Sequence, residues 1–370
     1  MTEQQPASDR GGATYESAGV SIDAGDKAVE LMKVWVDKAR RPEVLGGIGG
    51  FAGLFDASAL KSMDRPLLAS SADGVGTKVA IAQALDVHHT IGFDLVGMLV
   101  DDLVVCGAEP LFLTDYIATG RVVPERIAAI VQGIAEACVQ AGCALVGGET
   151  AEHPGLLGPD EYDVAGSTTG VVEAADLLGA GRVEAGDVVV AMASSGLHSN
   201  GYSLVRHVLL SEAGAGWSLD RHVDELGRTL GEELLEPTRI YAKACLDLAR
   251  RTATHAMSHV TGGGLAANLE RVLPDSVVAV LDRGTWTPPP VFDLVRQVGA
   301  VAQPDLERTL NCGVGMVAVL PPDEADRAIG LLAGRGVPAW VCGEVVRAGS
   351  GAGAPAEGSV TLTGSHPGWS

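Results

Sequence analysis

A chain of 370 residues with 46% hydrophobic side chains can bury two cores, and its net charge of −21 repels nucleic acid and anionic membrane surfaces. Neither is expected as a partner, and any nucleotide site must be made positive locally, by backbone amides, a few basic side chains or a divalent metal. The polar stretch 1–12 has no apolar leader, the most apolar run (91–106) carries Asp94, Asp101 and Asp102, and the six cysteines lack zinc-ligand spacing. A cytoplasmic protein with reduced thiols is expected.

In chain order, residues 1–13 are expected to be disordered. Strands are then predicted at 66–71, 111–118, 144–147 and 162–172, with helices at 78–85, 92–105 and 124–140, the last opened by a proline in its first turn. The charged, glycine-containing stretch 173–187 reads as a domain boundary. Beyond it, strands at 188–193, 277–281, 314–320 and 339–345 alternate with helices near 202–210, 237–251, 265–272, 290–298 and 323–333. The pattern gives an α+β fold of two domains, 14–174 and 175–346, each with a mixed β-sheet flanked by helices. A flexible tail is expected over 347–370, where Gly, Ala, Ser and Pro dominate.

The richest local signal is SSADGVGTK at 70–78, where an apolar strand turns through glycines into a helix. Such a turn lets amides approach an anion, Lys78 adds a full charge, and Asp73 can hold a cation that bridges phosphates. It is not a Walker loop. Asp94, Asp101 and Asp102 share one predicted helix; buried they need a cation or donors, exposed they lie on a solvated rim. GGETAE (147–152) reads as a strand-end turn whose acids could orient a ribose hydroxyl, an amine or a metal. SSGLHSNGY (194–202) joins a strand to a helix, with Ser199 or Asn200 as a natural N-cap and His198 as a possible proton carrier. HVTGGGL (259–265) is a third glycine-rich helix opening, with amides able to meet phosphate. No G-x-S-x-G elbow is present, which argues against a Ser-His-Asp hydrolase. Three such loops favour a site for two phosphorylated ligands.

From about residue 15 to 345 the chain resembles the phosphoribosylformylglycinamidine cyclo-ligase (aminoimidazole ribonucleotide synthetase) family. The resemblance rests on AGVSIDAG (18–25), RRPEVLGGIGGFAGLFD (40–56), DGVGTK (73–78), IGFDLVGMLVDDLVVCGAEPLFLTDYIATG (91–120), LVGGETAEHPG (145–155), YDVAGSTTGVVE (162–173), SSGLHSNGYSLVR (194–206), PTRIY (237–241), HVTGGGLAANLERVLP (259–274) and NCGVGM (311–316). DGVGTK alone is similar to a wider superfamily that includes thiamine-monophosphate kinase, selenophosphate synthetase and formylglycinamidine ribonucleotide amidotransferase. A small-molecule kinase of that superfamily is the main rival, and a nucleotide-binding regulatory subunit a second.

The resemblance implies ATP-dependent cyclisation of formylglycinamidine ribonucleotide to 5-aminoimidazole ribonucleotide through a phosphorylated amide, with magnesium as cofactor. It also implies a homodimer formed through the N-terminal sheets. Residue by residue, it implies Asp73, Asp94 and Asp102 on magnesium. Lys27, Gly49, Gly50, Phe51, Gly74, Gly76, Thr77 and Lys78 would meet ATP or its phosphates. Glu149, Ser199, Asn200, Gly262, Gly263 and Gly264 would meet the substrate, with Asp73, Lys78 and His198 as the catalytic residues. Three positions depart from the family pattern: Ser21 for Asp, Ala72 for Thr, and Asp101 for Asn.

Overall fold

The computed structural model describes residues 19–47, 50–349 and 358–369, and it has the expected α+β form with two domains, each built on a mixed sheet. In the N-terminal sheet the strands lie in the order Pro66–Gly74, Tyr162–Glu173, Glu109–Thr119, Ala144–Glu152; the last pair is parallel and the others antiparallel. The C-terminal sheet runs Ala256–His259, Val314–Leu320, Val188–Ala193, Ala339–Arg347, Val277–Asp282, Val360–Thr363, with only the final pair parallel. Among the described residues no helix is long and apolar enough to cross a membrane.

The helix Thr90–Val104 is buried along nearly all its length and joins the domains. Its apolar residues recur on every face, as a helix enclosed by protein requires. Two of its glycines allow that enclosure. A Cβ on Gly92 would lie 2.1 Å from the backbone N of Ile134, and one on Gly97 would lie 2.8 Å from the Thr238 methyl. The helix thus presses on the Pro124–Ala141 helix at one end and on the C-terminal domain nearer its middle. One apolar core accordingly runs through both domains, from Ile91 and Leu95 to Tyr241, Cys245 and Met316. A second lies on the other face of the C-terminal sheet.

Local chemistry explains the helix ends. Ser21 caps the first helix (Ile22–Lys38) by accepting the Ala24 amide at 3.3 Å, and its own N–H donates to Glu152. Pro124 opens its helix at a position whose N–H has no intrahelical partner, and Gly142 at φ +82° closes it.

Several expected elements differ. GGETAE is not a turn: residues 147–152 continue the strand, because they pair in parallel with 114–119. The helix expected from residue 237 starts at Ala242, since Pro237 to Tyr241 is spent on contacts with the central helix. The tail expected to be flexible over 347–370 is corrected where it is described, at 358–369, while 350–357 and 370 lie outside the described residues. Residues 360–363 add a strand beside Val277–Asp282, and His366 is buried against Trp286 and Trp369. The expectation of disorder over 1–13 lies outside the described residues.

Candidate active site

The turn after the Pro66–Gly74 strand has the strand–glycine–helix geometry read from the sequence, with Gly76 at φ +75°. Asp73 is exposed, and among the described residues its Oδ1 accepts only the neighbouring Gly74 amide, at 2.7 Å. Thr77 Oγ1 lies 3.3 Å from Ser203 Oγ of the C-terminal domain.

Lys78 was expected to meet phosphate, and the structure places its ammonium inside the protein. Its side chain is wholly buried, and its three ammonium protons are spent on Asp94 Oδ1 (2.8 Å), the His198 carbonyl (2.9 Å) and the Glu236 carbonyl (2.6 Å). An ammonium has three donors, so none remains for a phosphate.

Asp94, expected on magnesium, lies in the same buried pair, and its Oδ2 is buried without a partner. Its Oδ1 also accepts the Thr238 amide at 2.9 Å and the Thr238 hydroxyl at 2.6 Å. Burial pushes the lysine pKa down and the aspartate pKa up, while their mutual attraction opposes both shifts. Asp101, also buried, accepts the Tyr241 amide, and burial raises its pKa to about 7.

Asp102 accepts instead from His259 Nδ1 at 2.9 Å. Among the described residues no three His, Cys, Asp or Glu side chains gather into a set able to hold a metal. Of the three acids expected on magnesium, Asp73 is exposed, Asp94 keeps one buried oxygen without a partner, and Asp102 is bonded to His259.

The 194–203 loop meets the same helix from the other domain. Ser199 and Asn200 are not caps; Gly201 opens the Tyr202–Leu209 helix without a side-chain bond. Ser199 is left with a buried hydroxyl lacking a partner, and the Asn200 amide contacts Met98 Sδ at 3.5 Å. His198 adopts φ +61°, a left-handed conformation costly for a residue with a Cβ. Its Nε2 accepts the Ser195 amide at 3.2 Å, so the proton sits on Nδ1, which is buried without a partner. Burial first, and then the proximity of His259 and Lys78, holds its pKa well below the ordinary imidazole value. The Nδ1–H of His198 is thus an unpaired donor at the junction.

Gly263 and Gly264 take φ of +99° and +73°, and a Cβ on Gly264 would fall 1.7 Å from the Glu307 carbonyl. Asn268 stitches the turn by donating to the carbonyls of Thr261, Gly262 and Gly264. A Cβ on Gly262 would stand 3.8 Å from Asn200 Oδ1, so this turn and the 194–203 loop are neighbours. His259, fixed by Asp102, keeps Nε2 buried and unpaired.

Sequence reasoning missed His259, Thr238 and Asn311. Asn311 Nδ2 donates to the Gly196 carbonyl, while its Oδ1 accepts from Ser194 and Gly313. All three stand inside recognised blocks, but their partners lie far along the chain.

The other expected residues form a separate region. A cavity of about 850 Å³ lies under the first helix, lined by Gly50, Phe51, Asp115, Gly148 and Glu149 among others. Gly49 lies outside the described residues. Lys27 turns away from the cavity, because Gly25, Ala28, Val29, Met32 and Val36 form the helix face that lines it. Lys27 instead pairs with Glu125 at 2.5 Å on the exposed side. Asp115 has its pKa raised to about 7, first by burial and then by Glu149.

Asp73, Gly166, Asp115 and Gly148 are register partners across the four strands. Asp73 and Asp115 are therefore two strand spacings apart, about 10 Å.

Two family models match the chain: "AIR synthase related protein, N-terminal domain" over residues 55–172 and "AIR synthase related protein, C-terminal domain" over 184–354. A phosphoribosylformylglycinamidine cyclo-ligase of Geobacillus kaustophilus is 51% identical over 333 residues, covering 90% of this chain and 95% of its own length. One from Anaeromyxobacter sp. is 52% identical over 333 residues, with the same coverage of each.

Among solved structures, thiamine-monophosphate kinase from Stenotrophomonas maltophilia aligns with a TM-score of 0.63 at 19% identity, covering 92% of this chain and 97% of that one. The hydrogenase maturation protein HypE in complex with ATP aligns at 0.64 and 18%, covering 93% and 92%. At such identities these structures share the fold alone.

Proposed function

We propose a division of labour within the site, from the premise that the chain belongs to the AIR synthase related family, among its phosphoribosylformylglycinamidine cyclo-ligases, the ATP-dependent ligases of purine biosynthesis. Formylglycinamidine ribonucleotide and ATP give 5-aminoimidazole ribonucleotide, ADP and phosphate. An amide oxygen is a poor leaving group, so ATP first phosphorylates it. The substrate's own nitrogen then attacks that carbon, and the oxygen departs within inorganic phosphate as the ring closes. Most of the catalysis is positioning and charge stabilisation.

The observation that carries the reading is the domain junction. There the 73–78 turn, the 194–203 loop and the 259–264 turn meet around one helix, with His198 Nδ1, Ser199 Oγ and His259 Nε2 all buried and unpaired. Orphaned polar atoms are costly in a finished core and are paired when a ligand arrives. In this reading Ser199, Asn200 and the amides of Gly262 and Gly263 bind the ribonucleotide, while the Gly264 amide, donated to the Thr261 carbonyl, holds the turn. His259 Nε2 takes the proton released on ring closure, held in the right tautomer by Asp102, and His198 Nδ1–H donates to the negative charge that develops.

ATP would lie along the N-terminal domain. Its nucleoside would occupy the cavity near Gly50, Phe51, Asp115 and Glu149, and its phosphates would reach the Gly76 amide, the Thr77 hydroxyl and Asp73, with Gly74 giving the close approach. The spacing of about 10 Å between Asp115 and Asp73 suits a triphosphate. Magnesium needs only one or two carboxylates beside phosphates and water, and the exposed carboxylate of Asp73 suits that donor set. When bound, the ion would neutralise phosphate charge.

The outer face of the N-terminal sheet exposes Leu68 and Tyr116, an apolar surface that fits a homodimer through these sheets, and a cytoplasmic location suits the reaction. Isotope transfer tests the chemistry. With the formyl oxygen labelled as ¹⁸O, the label should appear in inorganic phosphate; its retention in water would contradict the phosphorylated amide.

A further inference from the structure

The buried Lys78–Asp94 pair is left without a chemical task by the reading above. It sits one residue from the turn assigned to phosphate and directly on the loop assigned to substrate. Lys78 Nζ holds the carbonyl of His198, the residue in the strained left-handed conformation, and the carbonyl of Glu236. Asp94 gathers the same segment from the other side through the Thr238 amide and hydroxyl. Five hydrogen bonds therefore converge on one ion pair, and four of them cross between domains. Both side chains are fully buried.

Such a pair is a poor source of stability, since desolvation offsets attraction, but a demanding device for geometry: neither end moves without uncovering a charge. The bond to the His198 carbonyl also fixes the backbone that aims the His198 ring, whose Nε2 is held by the Ser195 amide two residues before Leu197.

We infer that Lys78 and Asp94 are positioning residues that couple the phosphate turn to the substrate loop, so that seating ATP at residues 73–77 sets the 194–203 loop and tightens binding of the ribonucleotide. The coupling is reciprocal, as thermodynamic linkage requires. The inference rests on the reading that the 194–203 loop faces the ribonucleotide.

The test separates geometry from stability by removing both charges together. The variant carrying Lys78→Met with Asp94→Leu has no uncompensated buried charge. Its melting temperature, its affinity for a non-hydrolysable ATP analogue, and its affinity for formylglycinamidine ribonucleotide with and without that analogue are compared with the unmodified protein. The expected result is a retained melting transition, analogue affinity within about threefold, and loss of the analogue's effect on ribonucleotide affinity, a coupling typically worth roughly 5- to 150-fold.

A double variant that retains full coupling would overturn the inference. So would one whose analogue affinity collapses while it stays folded, which would return Lys78 to phosphate binding. Should the double variant fail to fold, Thr238→Val removes one donor to Asp94 without changing charge. It should weaken the coupling at least about threefold with analogue affinity intact, and unchanged coupling there overturns the inference equally. If the unmodified protein itself does not bind formylglycinamidine ribonucleotide, the fault lies with the underlying assignment of the loop, and the inference falls with it.

Discussion

Asp73 and Lys78 stand five residues apart in one turn, and their surroundings give them opposite fates. Asp73 is exposed and, among the described residues, bonded only to its neighbour's amide, so Asp73→Asn should leave the melting temperature unchanged while lowering turnover at least roughly 100-fold, the scale for loss of a key electrostatic group. Steady-state kinetics beside a thermal melt checks both halves. Lys27, in an exposed ion pair with Glu125, should tolerate Lys27→Ala with ATP KM within about threefold, because such pairs contribute little.

His198 carries a third expectation. Burial holds its pKa well below the ordinary imidazole value, so His198→Ala should lower kcat without removing a limb of the pH profile between pH 7 and 9. The turn around Asp73 was legible in the sequence because glycine spacing and a strand–helix switch are local facts. The fate of Lys78 was not, since its partners lie 16, 120 and 158 residues away.

At the scale of elements, the C-terminal segment departs furthest from the expectation. Its Gly- and Ala-rich composition reads as a tail, yet Val360 to Thr363 complete the sheet and His366 reaches Glu307 on the Gln303–Thr309 helix. That helix backs both glycine turns: Gly264 meets the Glu307 carbonyl, and a Cβ on Gly201 would strike Leu310. Glu307 accepts two bonds from Arg283. Burial pushes the Glu307 pKa up, but Arg283, His366 and Gln303 together outweigh it and hold the carboxyl at about 2.

A carboxyl depressed in the folded state stabilises above its unfolded value and loses that contribution as pH falls. Glu307 should therefore add roughly 3 kcal/mol at pH 6 that fades between about pH 4.5 and 2. Thermal melts over that window, set against Glu307→Gln, measure it; an equal acid sensitivity in both proteins would remove Glu307 from the account. Neither the edge strand nor the Glu307 network announced itself in sequence, because a four-residue strand has too few positions to reveal a period and Arg283 lies 24 residues from its partner.

For the whole molecule, the two-domain α+β plan was readable because alternating strand and helix periods survive averaging over long segments. The junction between the domains was readable only as a list of loops. Their meeting depends on a helix whose Asp94 and Asp101 accept backbone amides of the 238–241 segment and whose Asp102 holds His259. The outer face of the N-terminal sheet should drive self-association: Leu68, 67% exposed, is the most open apolar side chain on it, and Leu68→Lys should shift sedimentation toward the monomer.

The most direct measurement of the central claim is a coupled assay on one purified sample, following ADP and the aminoimidazole product together from ATP and formylglycinamidine ribonucleotide. The account predicts that they appear in equal amounts and that neither forms without the other substrate. ADP released without ring closure, or no turnover of formylglycinamidine ribonucleotide, would contradict it.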